Sequence, residues 1–412
     1  VARHLTLVPA PGPDDAGAVL GTVWPALRAC LDGDAPLAVL PADPGPAGAA
    51  RAVLRPDAPL EPGTDLVAVT SGSTGGGPAG GGKGVLLSAA ALRASATATL
   101  DRLGGPGSWL LALPTSAVGG LQVLVRSVLA GRTPAVLGRG EPLSAAASRL
   151  PAGDRRYTSL VPTQLRRYLA TEPEALAAFD AVLVGGAATD AVLLEQARDA
   201  GIAVRTTYGM TETSGGCVYD GVPLAGVGVR VERDGVRLGG PVLAHGYRLD
   251  PVATAEKFAD GWFHTRDAGS LDAEGRLTVH GRLDDVLVSG GVNVSPQAVE
   301  AVLREHPAVA DAVVTGRPDP EWGQRVVAAV VPVPGATPVL AELRPWVAER
   351  LGAAAAPREL RLVEAVPTLH TGKPDRRSVA AALAQPTPSV QPTPSVRPTP
   401  SVRPTPPPSG DQ

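Results

Sequence analysis

Hydrophobic positions in this chain fall in short runs, and the runs change character along its length. From residue 66 to about 280, apolar runs of strand length alternate with segments whose apolar residues recur at helical spacing. Leu66–Val69, Trp109–Leu113, Ala135–Leu137, Tyr157–Val161, Ala181–Val184 and Val204–Tyr208 read as strands. Leu121–Leu129, Pro162–Leu169 and Asp190–Asp199 read as helices between them, and Val85–Leu103 has the Ala/Leu composition of another. This alternation predicts an α/β fold, a sheet with helices on its faces. Upstream, Val19–Leu31 is helix-like and Pro36–Leu40 strand-like. From Gly226 to Gly281 the pattern shifts to short strands with glycine turns. A smaller α+β unit follows, with helices over Ser295–Arg304 and Leu340–Leu351 and strands over Val309–Thr315, Val326–Val333 and Glu359–Val363. It ends near Ala384. The reading is a large domain over 1–282, a small domain over 283–384 and a tail over 385–412.

The tail is an internal repeat: Gln385–Val390, Gln391–Val396, Arg397–Val402 and a decayed copy from Arg403. Proline at every second or third position forbids helix and sheet interior. An extended, solvated, disordered tail is expected, with a ligand for a proline-reading domain as the alternative.

Composition narrows the class. With 412 residues, 44% hydrophobic and 19% charged, the chain is globular and long enough for two or three domains. A net charge of −3 argues against a nucleic-acid partner held by bulk electrostatics. Two cysteines, Cys30 and Cys217, make no disulfide framework, which favours a reducing cytoplasm. No apolar run approaches membrane-spanning length, and the first residues show no basic-then-apolar leader.

In α/β sheets, sites form at the carboxyl ends of strands. The informative loops lie there: Thr70–Gly84, Pro114–Gly120, Gly185-Gly186-Ala187 and Gly209–Gly216. Thr70-Ser71-Gly72-Ser73-Thr74-Gly75 runs through a glycine tract to Lys83. Glycines let backbone N–H groups approach an anion, hydroxyls add donors and the lysine adds charge. A Walker A pattern can be forced onto it, but Gly84 stands where Ser or Thr is required. Taken alone, the loop reads as a phosphate cradle or as a flexible surface loop.

The loop does not stand alone. It is followed in order by Tyr208-Gly209-Met210-Thr211-Glu212-Thr213, Gly261-Trp262-Phe263-His264-Thr265-Arg266-Asp267, Gly281-Arg282-Leu283-Asp284-Asp285 and Pro367 with Gly372-Lys373. With these five segments the chain resembles the adenylate-forming acyl-CoA synthetase family over about residues 60–380. The resemblance implies a large N-terminal α/β domain and a small, mobile α+β C-terminal domain. It also implies the activity: a carboxylate is activated with ATP and magnesium to an acyl-adenylate, and the acyl group passes to coenzyme A.

The resemblance assigns roles residue by residue. Thr70, Ser71, Gly72, Ser73, Thr74, Gly75 and Lys83 match the loop that holds the ATP β- and γ-phosphates. Gly185, Gly186 and Ala187 match the adenine-pocket loop, with an ordinary strand-to-helix turn as the alternative. In the next motif Tyr208 and Gly209 match the adenine-stacking segment, Thr211 lies near the α-phosphate and Glu212 binds magnesium, a hard ion that takes carboxylate oxygens. Asp267 matches the ribose ligand, since a carboxylate accepts both hydroxyls. Arg282 lies beside the ribose and phosphate, and Asp284 matches the hinge. Lys373 matches the adenylation lysine, a mobile charge that bridges carboxylate and α-phosphate. Ser289, Gly290 and Gly291 match the pantetheine tunnel. Small-molecule substrates are implied, and family members are often dimers.

Further runs, Trp109–Pro114, Gly119–Ser127, Tyr157–Val161 with Gln164, and Gly215–Gly221, resemble the branch of the family that activates o-succinylbenzoate for menaquinone synthesis. A dianionic acid needs a second anchor. Arg126 is the candidate, because a guanidinium offers two prongs to a carboxylate. Gly119, Gly120, Ser214 and Gly215 are further pocket candidates, with Thr163 and Gln164 behind them. Two departures stand out. Gly76–Gly82 lengthens the phosphate loop ahead of Lys83, which bears on phosphate handling. Ala117 stands where the family usually has histidine, which bears on acid selectivity. Three readings follow: a ligase for o-succinylbenzoate, a ligase for another acid, and a non-catalytic nucleotide-binding or scaffold protein.

Overall fold

A computed structural model describes residues 3–70, 82–367 and 376–384. Ser71–Gly75, Lys373 and the proline-rich tail lie outside the described residues. Five sheets are present among the described residues. The first runs, in spatial order, Thr6–Pro9, Leu37–Leu40, Leu66–Val69, Gly84–Leu87 and Gly246–Tyr247. Its first three strands are parallel, Gly84–Leu87 runs antiparallel to Leu66–Val69, and Gly246–Tyr247 runs antiparallel to Gly84–Leu87.

The expected helix over Val85–Leu103 is corrected here. Gly84–Leu87 is a strand paired antiparallel with Leu66–Val69, and the helix is Ala89–Arg102. Ser88 caps it by accepting from the Ala91 amide at 3.1 Å. A short, wholly buried apolar run fits either element, and backbone pairing with two neighbouring strands decides it. Two bonds close the neck of the loop that begins at Thr70. The Thr70 amide donates to the Lys83 carbonyl and the Lys83 amide to Thr70 Oγ1, both at 2.9 Å. Lys83 is thereby fixed at the strand entrance despite the longer loop.

The second sheet has seven strands in the order Val222–Pro223, Gly215–Tyr219, Val204–Met210, Ala181–Val184, Arg156–Leu160, Ser108–Leu111 and Ala135–Val136. Its five strands from Val204–Met210 to Ala135–Val136 are parallel. Strand alternation splits the core in two. Leu110, Leu160, Val182 and Val184 pack under Leu165, Tyr168 and Leu193 of covering helices. Trp109, Leu111, Tyr157 and Leu183 face the other way, toward the first sheet and the helix Val118–Leu129. That helix is buried almost all round, at Leu121, Val123, Leu124 and Val125 among others. An apolar residue on every side is the mark of an interior helix.

Two antiparallel sheets follow: Gly228–Glu232, Gly235–Gly239, Trp262–His264 and Phe258–Ala259, then the hairpin Asp267–Leu271 with Leu277–Arg282. The fifth sheet, built from Leu287–Ser289, Val292–Val294, Val309–Asp319, Gly323–Pro332 and Glu359–Leu362, has its own core around Val299, Leu303, Val314, Val326 and Leu343. A helix not foreseen from the sequence, Arg376–Ala384, buries Val379 and Leu383 against Val313, Val327 and Ala329. The architecture is a large α/β unit followed by a small α+β one, as expected from the sequence.

Candidate active site

A cavity of about 490 Å³ lies where the parallel strands end. Its wall takes Val69 and Thr70 from one strand end, Pro114 from the next, then Ser159–Val161, Gly185 with Gly186, and Thr207 with Gly209–Glu212. Lys83, Gly119, Gly120, Arg126, Gly215, Asp267, Arg282 and Asp284, all expected at the site, also line it. The volume suits a small-molecule site.

The turn Met210–Gly215 presents Thr211 and Glu212. Thr213 braces it from within: its Oγ1 accepts from the Met210 amide at 2.9 Å and donates to the Gly215 carbonyl at 2.7 Å. Ser214 holds the turn from outside in a left-handed conformation, φ +52°, with Oγ donating to the Val242 carbonyl at 2.8 Å. Gly209 must be glycine, because a Cβ there would collide with the Gly215 carbonyl and the Gly216 backbone. Glu212 Oε1 accepts from the Tyr247 hydroxyl at 2.9 Å, and the Lys83 ammonium sits 4.4 Å above the Tyr247 ring. Burial and the Glu212 carboxylate push the Tyr247 phenol well above its ordinary pKa, so it stays a donor.

Across the cavity, Asp267 and Arg282 are register partners in the hairpin. Asp267 Oδ2 accepts from the Tyr208 hydroxyl at 2.6 Å, and Arg282 Nε lies 3.8 Å from Oδ1. Asp284 accepts from Arg266 at 2.6 and 2.9 Å. Burial would raise the Asp284 pKa, but the bond to Arg266 and the charges of Arg266 and Arg282 outweigh it and hold it low. Lys257 also lines the cavity, and burial, then repulsion from Arg266, lowers its pKa.

Arg126 lies in a buried part of the wall. It is 4% exposed, its Nη2 donates to the Tyr219 hydroxyl at 3.3 Å, and its Cζ lies 5.0 Å from the Trp109 ring. Its Nε has no hydrogen-bond partner among the described residues, and burial pulls its pKa down. Ser159 Oγ and Gln122 Oε1 are also buried and have no partner among the described residues, and both residues line the cavity. Gly120 lets the helix start close to the preceding loop, since a Cβ would collide with the Pro114 carbonyl. The cavity therefore joins a buried cation on one part of its wall to a carboxylate-rich part on another.

Several expected residues are off this wall. Tyr208 is not among the lining residues: strand alternation puts Thr207 and Gly209 on the cavity side, and Tyr208 packs toward Cys217 and Val236. Ser214 is wholly buried in its turn. Ala187 lies one residue beyond the lining glycines and is exposed. Gln164 caps its own helix, accepting from the Val161 amide at 3.0 Å and donating to the Ala112 carbonyl at 2.8 Å, and Thr163 faces outward. Ser289, Gly290 and Gly291 form a hairpin turn in the fifth sheet. Gln122, Ser159 and Tyr219 fell within runs that carried the resemblance but were not singled out, and Tyr247 and Lys257 were passed over. Only fold-specific direction separates them from neighbours of the same type. Both cysteines are buried, with thiols pushed up to about 12, so neither is a nucleophile.

The AMP-binding enzyme family matches residues 25–248, more than half of the chain, and its C-terminal domain family matches residues 298–373. The chain belongs to the AMP-binding enzyme family. Among curated members of that family, it is 48% identical over 381 residues to the "Probable 2-succinylbenzoate--CoA ligase" of Mycobacterium tuberculosis, covering 90% of this chain and 97% of that one. It is 34% identical over 380 residues to the 2-succinylbenzoate--CoA ligase of Geobacillus kaustophilus, covering 86% and 76%. Among solved family structures, the o-succinylbenzoate CoA synthetase MenE of Bacillus subtilis, in complex with its acyl-adenylate intermediate OSB-AMP, superposes with a TM-score of 0.75. It is 25% identical, over 92% of this chain and 88% of that one.

Proposed function

We propose that this chain is an ATP-dependent acid–thiol ligase that activates o-succinylbenzoate, releasing pyrophosphate. It then passes the acyl group to coenzyme A, releasing AMP, as a step of menaquinone synthesis. The observation that carries the reading is the buried guanidinium of Arg126 in the same cavity as Thr211, Glu212, Asp267 and Arg282. A buried cation without a carboxylate partner is costly unless a ligand completes it. An acid with two carboxylates does so: one reacts and the other meets Arg126.

In this reading Thr70, Lys83 and the intervening loop hold the terminal phosphates, and Thr211 lies beside the α-phosphate. Asp267, oriented by the Tyr208 hydroxyl, accepts the ribose hydroxyls with Arg282 alongside. Gly185, Gly186 and Gly209 leave room for the base. Glu212 fits a magnesium ion, having a carboxylate on the wall and one oxygen already fixed by Tyr247. Such an ion supplies positive charge to the polyphosphate. Lys373 supplies the mobile charge that bridges the two reacting groups. Residues 283–384 form the small domain, which swings about Asp284 and brings Ser289-Gly290-Gly291 toward the thiol. Arg266 fixes Asp284 in the arrangement described.

A second reading keeps the chemistry and changes the acid. Ala117 lines the cavity where the family usually places histidine, and a methyl group neither hydrogen-bonds nor gates. Pyrophosphate exchange into ATP tests both. Exchange with o-succinylbenzoate and magnesium is expected, and it should collapse in Lys373→Ala. Exchange only with other aryl or aliphatic acids would overturn the assigned substrate, and no exchange with any acid would overturn the ligase reading.

A further inference from the structure

We propose that Tyr219 is a positioning residue for Arg126, and that a buried relay of hydroxyls behind it sets the preference for an acid with a second negative charge. This rests on the role given above to Arg126. The relay runs from Arg126 Nη2 to Tyr219 Oη at 3.3 Å, then to Thr99 Oγ1 at 2.9 Å, then to the Ser95 carbonyl at 2.9 Å. Ser95, Thr99 and Tyr219 are wholly buried.

Its polarity follows from counting protons. A guanidinium nitrogen can only donate, so Tyr219 Oη must accept from Arg126. A carbonyl can only accept, so Thr99 spends its single proton on Ser95. The bond between the two hydroxyls then runs one way, with Tyr219 donating to Thr99. Each oxygen is committed, and the phenol lone pair is aimed at the guanidinium. Tyr219 reaches this place from a bulged strand: the register of Gly215–Tyr219 shifts between Gly216 and Val218. A bulge re-aims the side chains that follow it. Arg126 is thus held by a phenol on one nitrogen and by the Trp109 face, while its buried Nε has no partner among the described residues.

The same helix ties the acid pocket to the turn that carries Glu212. Ser95 Oγ donates to the Ser214 carbonyl at 3.1 Å, one turn of helix from Thr99. The relay therefore fixes the guanidinium relative to the reaction centre, which is what selection between one and two charges requires.

The test compares o-succinylbenzoate with 4-oxo-4-phenylbutanoate, the same acid without its ring carboxylate, in the wild type and in Tyr219→Phe. This substitution removes one oxygen and keeps the ring. For the diacid, KM should rise about ten-fold with kcat held within about two-fold, the scale of one hydrogen bond to a charged group. For the monoacid neither constant should move. Thr99→Val, which keeps the phenol but removes its acceptor, should shift the diacid KM in the same direction. Equal rises for both acids would mark a merely structural tyrosine and overturn the proposal, as would no rise for either. Arg126→Leu separates the two levels of inference. If it abolishes discrimination while Tyr219→Phe does not, the relay fails and the role of Arg126 stands. If it leaves discrimination intact, that role fails and the relay with it.

Discussion

Arg126→Leu should make the empty protein more stable and its acid binding weaker. Arg126 is 4% exposed, its hydrogen bond to Tyr219 is long at 3.3 Å, and its Nε has no partner among the described residues. No carboxylate lies within salt-bridge distance of it among the described residues. The Trp109 face returns about 0.5–2 kcal/mol through a cation–π contact. Against that stands a desolvation penalty of several kcal/mol for a buried ion. A leucine of suitable volume should therefore stabilise the fold by about 1–4 kcal/mol, as replacement of buried ions by apolar side chains often does. The bound acid loses a charged hydrogen-bonding partner, about 1.5–3 kcal/mol. That corresponds to roughly a 10- to 100-fold rise in KM for the diacid. Urea unfolding of the ligand-free protein reads the first quantity and pyrophosphate exchange the second. A variant that unfolds more easily while its KM is unchanged would refute the reasoning, because the guanidinium would then be structural.

Two further outcomes concern the first sheet. Arg248 is wholly buried and donates to the carbonyls of Leu54, Arg55, Ala58 and Pro59 and to Glu61. Arg248→Met should cost about 3–5 kcal/mol in urea unfolding, because it strands a partly buried carboxylate and four carbonyls at once. Burial would raise the Glu61 pKa, but the Leu249 amide and Arg248 outweigh it and hold it below the usual carboxylate range. The folded pKa is thus below the unfolded one. The stabilisation is present above the ordinary carboxylate pKa and is lost as pH falls through the folded value. In thermal melts from neutral to acid pH, Glu61→Gln should show a flatter decline than the wild type; parallel curves would count against this linkage.

The strands and helices were largely legible because their signals are local. Leu340–Leu351 falls where its spacing puts it, and Asp190 and Ser295 cap the helices that follow them, accepting from Leu193 and Ala298 amides. Capping depends on three or four adjacent residues, so it can be read in order. The miss at Gly84–Leu87 has the opposite cause. Its partners are Leu66–Val69 and Gly246–Tyr247, and the second lies 160 residues downstream, as residue 86 pairs with residue 246. No window of neighbouring residues contains that information.

The candidate site divides the same way. The motifs named the loops, because chemistry requires those residue types and strand ends require those places: Thr211, Glu212, Asp267, Arg282 and Asp284 all reach the cavity wall. Which side chain of a loop faces inward was decided only by tertiary structure. Tyr208 is turned away by the two-residue period of its strand, Ser214 is consumed by its own turn, and Gln164 by its helix cap. Arginine at 126 could be read from the sequence as a candidate anchor. Its desolvation, its Trp109 face and the phenol of Tyr219, 93 residues away, could not. The sequence by itself determined the family, the order of the elements and the chemical groups available. Tertiary structure decided which of those groups share one cavity and at what dielectric cost, because burial and direction arise from contacts between segments far apart in the chain.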